Sequence, residues 1–568
     1  MLGPFVLRSR LLSLALGGGV LIFNPVSAQE PVAPAAEQPP AAAAENAAGP
    51  ITGGGQRSFS GPTEKPKAKK SFWETVPSIQ PYPRAGNFNN APTGPGYYTI
   101  LDAVRGNLLK DRPKNPYLQW GQNPNPFFNV DFRYLDAPDN KEHFAFDSLK
   151  RIHLTDNLLF STGGELRDRF ATIQNPALFN RNPGAGSRDN FNLFRTRIYG
   201  DLTYRDDLRL FAEFITAESS NQTIPLAASD VGRADFLNLF VQAKVATLND
   251  EGVYLRAGRQ ELLFGSQRLI APSDWANVRR TFQGLRGSWQ GKNFEQDLFV
   301  VQPVVPDPGK ISSVNGDQLF VGEWFKYRFS KNVSTDLYYL YLENGSPTAA
   351  KGRGGVTGSS GIHTIGNRFV GEKNGLLWDF ENAIQFGRYA NQQTLAGISV
   401  TGVGYYFKDL PASPTVWAYY DYASGDPHPG VGDTHHTFNT LFPFGHSYYA
   451  GLDSFGRQNL NDFHLEASLF PWNWLRIQGG YHILRLDQPK DALYSTSGGV
   501  VRQDTTGKAG TDVGQALTGA VQFHLDNHQS IVVQYSHLFS GDFIRNTAVN
   551  RDAAKDLSAL WVQYTAKW

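Results

Sequence analysis

The stretch around which the chain is organised runs over residues 253–289. Its first part alternates, with Val253, Leu255 and Ala257 on one side and Tyr254, Arg256 and Gly258 on the other. Its last part alternates again, with Leu285, Gly287 and Trp289 opposed to Arg286, Ser288 and Gln290. Side chains on a β-strand swap faces at every residue, so both parts predict strands with one apolar and one polar or basic face. The loop between them carries Arg268, Trp275, Asn277, Arg279 and Arg280. In a soluble sandwich each apolar face would meet a second sheet. Half-apolar strands joined by an arginine-rich loop suit instead a barrel wall with lipid outside and water inside.

The same period of two runs from Phe127 onward. Val130, Phe132 and Tyr134 alternate with Asp131 and Arg133. Thr162, Gly164 and Leu166 oppose Glu165, Arg167 and Arg169, and Thr196, Ile198 and Leu202 oppose Arg195, Arg197 and Asp201. Leu208, Leu210, Ala212 and Phe214 oppose Arg209 and Glu213. Leu237, Leu239, Val241, Ala243 and Val245 oppose Asn238, Gln242 and Lys244. Glu323 falls on an outer position, which marks either a register slip or a misplaced boundary. Short turns, as at 155–157 and 248–250, alternate with long polar loops, as at 175–189 and 424–461; this is the outer-membrane pattern. The pattern gives roughly 18 to 20 strands, and bacterial barrels favour even numbers. The predicted fold is therefore all-β: a closed antiparallel transmembrane barrel of about 18 strands, spanning residues 127–568. Its last strand puts Leu560, Val562, Tyr564, Ala566 and Trp568 on one face. An alternating strand that ends on an aromatic resembles the signal read by the outer-membrane assembly machinery.

The stretch before the barrel predicts three parts. Residues 1–28 read as a signal peptide: Arg8 and Arg10, an apolar run of about 13 residues, then Val26-Ser27-Ala28. That run is short of the roughly 20 residues a membrane helix needs, and no other stretch is apolar enough to span as a helix. Residues 29–71 are rich in Ala, Pro and Lys and cannot bury enough apolar surface to fold, so they read as a disordered periplasmic linker. Residues 72–126 are richer in aromatics and Pro, with a helix-like piece at 100–109. This segment either packs against the periplasmic end of the barrel or enters its mouth.

Composition changes this picture little. Mean hydropathy is −0.37, which would read as soluble were it not that only alternate residues of a barrel face lipid. Aromatics at 13% and 57 glycines fit many strands with girdles and tight turns. Cysteine is absent, which excludes disulfides, thiolate chemistry and Cys-based metal sites. A net charge of +1 gives no bulk attraction to nucleic acid.

The placement of charge says more. Arg167, Arg169, Arg195, Arg197, Arg256, Arg259 and Arg286 are assigned to the lumen, interleaved with Glu165, Asp201 and Glu213. A guanidinium stays charged and matches a carboxylate with a planar fork of donors, and rings of Arg favour anions in a pore. Enzyme chemistry is poorly supported. His153, His464, His482 and His537 lie in strands without an accompanying serine motif and read as structural. His435 and His436, near His428 and Asp433, point in different directions and read as loop residues. Gly425-Asp426 with Asp453 is a weak calcium pattern. The glycine-rich run at 352–361 lacks the strand–helix context of a phosphate loop. No catalytic residue, metal or cofactor is assigned.

Four stretches together resemble the alginate export family of outer-membrane porins. They are Gly163-Gly164-Glu165-Leu166-Arg167, Phe194-Arg195-Thr196-Arg197, the opening stretch, and Tyr422-Ala423-Ser424-Gly425-Asp426 with Thr437 to Pro443, His446 and Tyr448 to Gly451. In the opening stretch the resemblance is carried by Arg256, Arg259, Gln260, Arg268, Trp275, Asn277, Arg279, Arg280 and Arg286. The resemblance implies a monomeric 18-stranded barrel whose lumen passes an anionic exopolysaccharide, with Gln260, Arg268, Arg279, Arg280 and Asp426 joining the substrate path. Residues 29–71 depart from the simplest family pattern. The expected partners are an anionic polysaccharide or small anions, outer-membrane lipid, the assembly machinery and a periplasmic export partner. The alternatives are a diffusion porin for small anions and an outer-membrane enzyme.

Overall fold

The computed structural model describes residues 126–129, 132–136, 145–176 and 188–568, apart from nine single positions in turns, together with Ile100 and Val104. The signal peptide and linker expected at 1–71 lie outside the described residues. Eighteen long strands form the wall. They are β1 Leu158–Gln174, β2 Arg188–Tyr204, β3 Leu208–Ser220, β4 Gly232–Leu248, β5 Glu251–Gln260 and β6 Phe282–Gln290. Next come β7 Phe294–Val305, β8 Gln318–Ser330, β9 Val333–Asn344, β10 Ser360–Lys373, β11 Leu376–Tyr389 and β12 Gln392–Tyr406. The last six are β13 Thr415–Ala423, β14 Leu460–Trp472, β15 Leu475–Leu486, β16 Asp512–His524, β17 Gln529–Ser540 and β18 Leu557–Lys567.

Each strand pairs antiparallel with the next, and β18 pairs back on β1 from Glu165–Lys567 to Gln174–Ser558. The sheet therefore has no free edge, which is how a spanning sheet satisfies its backbone. At the seam the Gly164 N–H donates to the Trp568 carbonyl at 3.0 Å and the Trp568 N–H to the Gly164 carbonyl at 3.1 Å. A Cβ on Gly164 would stand 2.3 Å from the Arg197 carbonyl, so glycine is required there.

Alternation sorts the side chains as the pattern predicts. Ile198, Leu210, Val241, Leu285, Leu337 and Ile384 are exposed on the outer face. Glu165, Arg167, Arg195 and Arg197 are buried on the inner face. Aromatic pairs such as Trp289–Phe294, Tyr327–Phe329, Tyr405–Phe407 and Trp472–Trp474 mark the short-turn rim. Such girdles sit at membrane interfaces.

Three expectations are corrected. The described residues between 127 and 136 are not strand: Phe127–Asn129 and Arg133–Asp136 are single 3₁₀ turns. With β1 and β18 already paired, this alternation has no edge to join, and it lies between Pro126 and Pro138. Leu237 does not share the face of Leu239; it is buried, because a bulge at Glu213/Phe214 shifts the register of β4 there. Glu323 reflects no slip: β8 pairs without a break from Phe320 to Tyr327, and the exposed carboxylate accepts from Gln296 at 2.9 Å.

Candidate functional site

The barrel is not hollow. Residues 261–281, between β5 and β6, are mostly buried, among them Leu262, Phe264, Ile270, Asp274, Trp275 and Arg279. The loop between β13 and β14 contributes buried Phe438, Phe444, His446, Tyr448, Tyr449 and Phe455. The two loops join at a single parallel bridge, Ile270 with Phe442, and one further backbone bond. Phe442 N–H donates to the Leu269 carbonyl and Ala271 N–H to the Phe442 carbonyl, each at 2.9 Å, and Phe444 N–H to the Gln267 carbonyl at 3.0 Å. Both loops leave from the long-loop rim and turn inward.

The first loop ends on the arginines of β1 and β2. The register sets Arg167 directly opposite Arg195. Like charges directly opposed in a sheet repel. The loop supplies the compensation: Arg167 donates to the carbonyls of Asp274 at 2.7 Å and Ala276 at 3.0 Å. Arg195 donates to the Asp274 carboxylate at 2.9 Å and to Glu165 at 2.8 Å. Arg279 of the loop pairs with Asp274 and Glu261. Burial pushes the Asp274 carboxyl up, but Arg279, Arg195 and Arg167 outweigh it and hold it well below the usual carboxylate range. Arg169 stacks over Trp275 at 3.6 Å, and His446 of the second loop covers the ring at 3.6 Å. The Asn277 amide reaches the carbonyls of Phe194, Glu218 and Asp230 at 3.2, 2.9 and 3.0 Å.

The wall repeats this chemistry. Arg197 binds Glu213 at 2.6 Å. Arg209 binds Asp201 at 2.6 Å. Arg256 and Arg286 are directly opposed across β5 and β6. Arg286 pairs with Asp297 at 2.6 Å, whereas Arg256 donates to the neutral Gln242 at 2.9 Å. Arg268 of the first loop binds Asp379 and Glu381 of β11, each at 2.8 Å, and Arg368 of β10 also binds Asp379. Arg280 joins the loops by donating to the carbonyls of Ala271 and Pro443, both at 3.1 Å; burial lowers it to about 10, still charged at neutral pH.

The short-turn rim is filled from the other side. Phe127 and Phe128 are buried against Tyr199, Phe211 and Phe240. The Arg197 guanidinium lies 4.2 Å from the Phe127 ring, and that of Arg256 lies 4.5 Å from Phe128. Of the two positions open for the segment before β1, the described residues Pro126 to Phe128 at its end take the interior.

Most of the predicted residues come together here: Glu165, Arg167, Arg169, Arg195, Arg197, Asp201, Glu213, Arg256, Gln260, Arg268, Arg279, Arg280 and Arg286. Two do not. Arg259 stands three residues after Arg256, so alternation turns it to the other face; it binds Asp235 and the Ser312 carbonyl near the long-loop rim. Asp426 lies in a knot of the second loop, where its N–H donates to Asp491 and its carboxylate accepts from the His428 N–H and faces His435 at 3.6 Å. Burial raises the Asp426 carboxyl, and the hydrogen bonds from His435 and His428 bring it net below the ordinary value.

Sequence reasoning missed the carboxylates Glu261, Asp274, Asp297, Asp379 and Glu381. The strand members were detectable, since each has the inner parity next to a basic residue on the neighbouring strand. It also paired no serine with a strand histidine, but His537 Nδ1 lies 2.7 Å from Ser558 Oγ and Nε2 lies 3.8 Å from Asp556.

The alginate export family model matches residues 159–555, most of the wall and both loops. No curated protein matches the chain. Similar solved structures include Pseudomonas aeruginosa OpdO at 13% identity, covering 72% of this chain and 97% of that one with a TM-score of 0.44. Acinetobacter baumannii OccAB1 is 12% identical, covering 72% and 96%, with a TM-score of 0.48. Pseudomonas aeruginosa opdK is 11% identical, covering 73% and 99%, with a TM-score of 0.48. On the family match, this chain belongs to the alginate export family.

Proposed function

We propose that the chain is an outer-membrane channel for an anionic, alginate-like polysaccharide, held closed by the two interior loops. One observation carries this reading: of the opposed Arg167 and Arg195, Arg167 is satisfied by the loop carbonyls of Asp274 and Ala276, and Arg195 by the Asp274 carboxylate beside Glu165 of the wall. When that loop withdraws, Arg167 loses its acceptors and Arg195 keeps only Glu165, and a polyuronate supplies carboxylates at regular intervals. Arg256, with a neutral partner, and Arg286 continue the path toward the short-turn rim. On the outer-membrane pattern the short turns are periplasmic and the long loops extracellular.

Single-channel recording in a planar bilayer tests the reading. The expected result is a low basal conductance with anion-selective openings that polyuronate blocks and neutral oligosaccharide does not. Large, weakly selective current without block would replace it by a diffusion porin for small anions.

A second reading has its own observation. Ser558, His537 and Asp556 stand together on the outer face, and a serine activated by a histidine can attack an ester. A barrel enzyme acting on lipid would release fatty acid from phospholipid vesicles and lose that activity in Ser558→Ala. No release from vesicles that the protein has entered would end this reading.

A further inference from the structure

One inner-face cluster differs from the rest. Buried carboxylates elsewhere on the wall, such as Glu165, Glu213, Asp297 and Asp379, pair with arginines. Asp462 of β14 pairs instead with two histidines. Asp462 and His464 are two residues apart on one strand, so they share the inner face, and the register puts His482 of β15 directly opposite His464. Asp462 Oδ2 lies 2.8 Å from His482 Nδ1 and 3.1 Å from His464 Nδ1. One ligand atom from each of the three lies within 4.8 Å of the others. The imidazoles stack with centroids 4.7 Å apart, and all three residues are buried. Asp462 Oδ1, also buried, has no hydrogen-bond partner.

Two imidazole nitrogens and a carboxylate oxygen are the donor set of zinc and its first-row neighbours, not of calcium or magnesium. Tetrahedral bonds of about 2.05 Å put ligand atoms about 3.3 Å apart, so the two separations from Asp462 to the imidazoles need to open by only about 0.2–0.5 Å. The far nitrogen of His464, Nε2, faces Glu466 Oε1 at 3.7 Å, on the side where ligating histidines usually find a carboxylate that orients the ring. The Tyr419 ring covers His464 at 4.9 Å.

We propose that Asp462, His464 and His482 form a binding site for a divalent transition metal of the zinc class on the inner wall. The ion bridges β14 and β15. On β13, Asp421 is the register partner of Asp462 and holds Arg457 of the second loop at 2.7 Å. The site thus lies beside one of that loop's anchors, and it stands whether or not the channel passes a polysaccharide.

The test uses the full-length barrel in detergent without a histidine tag, stripped with chelator and then loaded with cobalt(II). The expected result is one tightly held cobalt per barrel, with visible d–d absorption that zinc(II) bleaches. Asp462→Asn and His482→Gln should each weaken binding on the order of 100-fold or more. Closure of each variant barrel is checked by its heat-modifiable mobility. The double variant His435→Ala/His436→Ala should keep the metal and the bands, because those histidines are in the loop knot. Substoichiometric cobalt on the wild type, unchanged bands in Asp462→Asn, or loss of metal in the loop variant would each overturn the site. Should the wall variants fail to close, the wild-type stoichiometry and the loop variant decide the matter.

Discussion

Asp274→Asn removes one charge from the loop and nothing from the wall. The carboxylate bonds Arg195 at 2.9 Å and pairs with Arg279, and all three side chains are almost fully buried. Breaking a buried ion pair by deleting one partner costs about 3–5 kcal/mol. The loss here is smaller, because Arg195 keeps Glu165, Arg279 keeps Glu261, and Arg167 and Arg195 keep the Asp274 carbonyl. Discounting for those contacts leaves about 2 kcal/mol against the seated loop. At about 1.4 kcal/mol per tenfold, that is about a 30-fold shift toward the unseated state. Recording in a planar bilayer should therefore show a rise of about 30-fold in open probability, with the conductance of each opening unchanged. Asp201→Asn is the control: Asp201 pairs with Arg209 on the wall, so gating should not change. Folded Asp274→Asn barrels with wild-type open probability would refute the view that this ion-pair knot holds the loop.

Four further outcomes follow from the same geometry. Ile270→Cys with Phe442→Cys joins bridge partners of the two loops in a chain that has no other cysteine; oxidation should abolish openings and a reductant restore them, and persisting openings would mean that the loops move as one body. Phe127→Ala with Phe128→Ala empties the aromatic cluster at the short-turn rim, at about 3–5 kcal/mol per ring, and should raise basal conductance; unchanged current would show that this segment does not obstruct the path. Arg256→Ala with Arg286→Ala, made in the Asp274→Asn background, should lower anion preference, and an unchanged reversal potential would remove both residues from the path. The Asp274 carboxyl sits below its ordinary value, so its contribution is complete above about pH 4 and fades only as pH falls through the depressed value. Open probability should accordingly stay flat from pH 8 to pH 5, and a rise across that window would place the pH-sensitive contact elsewhere.

The wall was legible because its signal is local. Alternation needs only a dozen residues to show which face Arg197 or Leu210 takes, and it fixed the fold class and most of the inner set. It failed where two local signals conflict or where contact is distant in sequence. Arg259 was grouped with Arg256 by charge although parity separates them. Leu237 lost its phase to a bulge, and Glu323 obeyed its phase where hydropathy argued against it. The filling of the interior was not legible. Nothing near Phe127 indicates that it will meet Tyr199 and Arg197, and nothing near Ile270 indicates a bridge to Phe442. Asp274 stands among arginines in the sequence, and its role appears only once the register has set Arg167 against Arg195. His464 and His482 read as unrelated strand residues until the same kind of register faced them across one carboxylate.

The interior raises a question of design: why the contact of the first loop with β1 and β2 is made by ion pairs when the rest of the two loops packs in apolar clusters. A buried ion pair returns little net stability, because the attraction is spent against desolvation of both charges. An apolar plug of the same size would gain from each square ångström it buries, and its withdrawal would expose that surface to water. The loop over β1 and β2 places its charges where opening costs least. When Asp274 leaves, it and the arginines recover hydration, and the arginines are left facing the path in opposed pairs. Elsewhere the loops are anchored by apolar packing, Leu262, Phe264 and Ile270 against Phe282, Phe320 and Trp324, and Trp275, Phe444 and Tyr448 in a second cluster, so the ion pairs set the opening only over β1 and β2. On the proposed function, one set of guanidinium groups then serves both states: it binds the loop carboxylate when closed and the solute's carboxylates when open. This predicts competition. Polyuronate added on the long-loop side should lengthen openings of the wild type and lose that effect in Asp274→Asn, where no loop carboxylate is left to displace. Equal lengthening in both proteins would show that the polymer acts elsewhere.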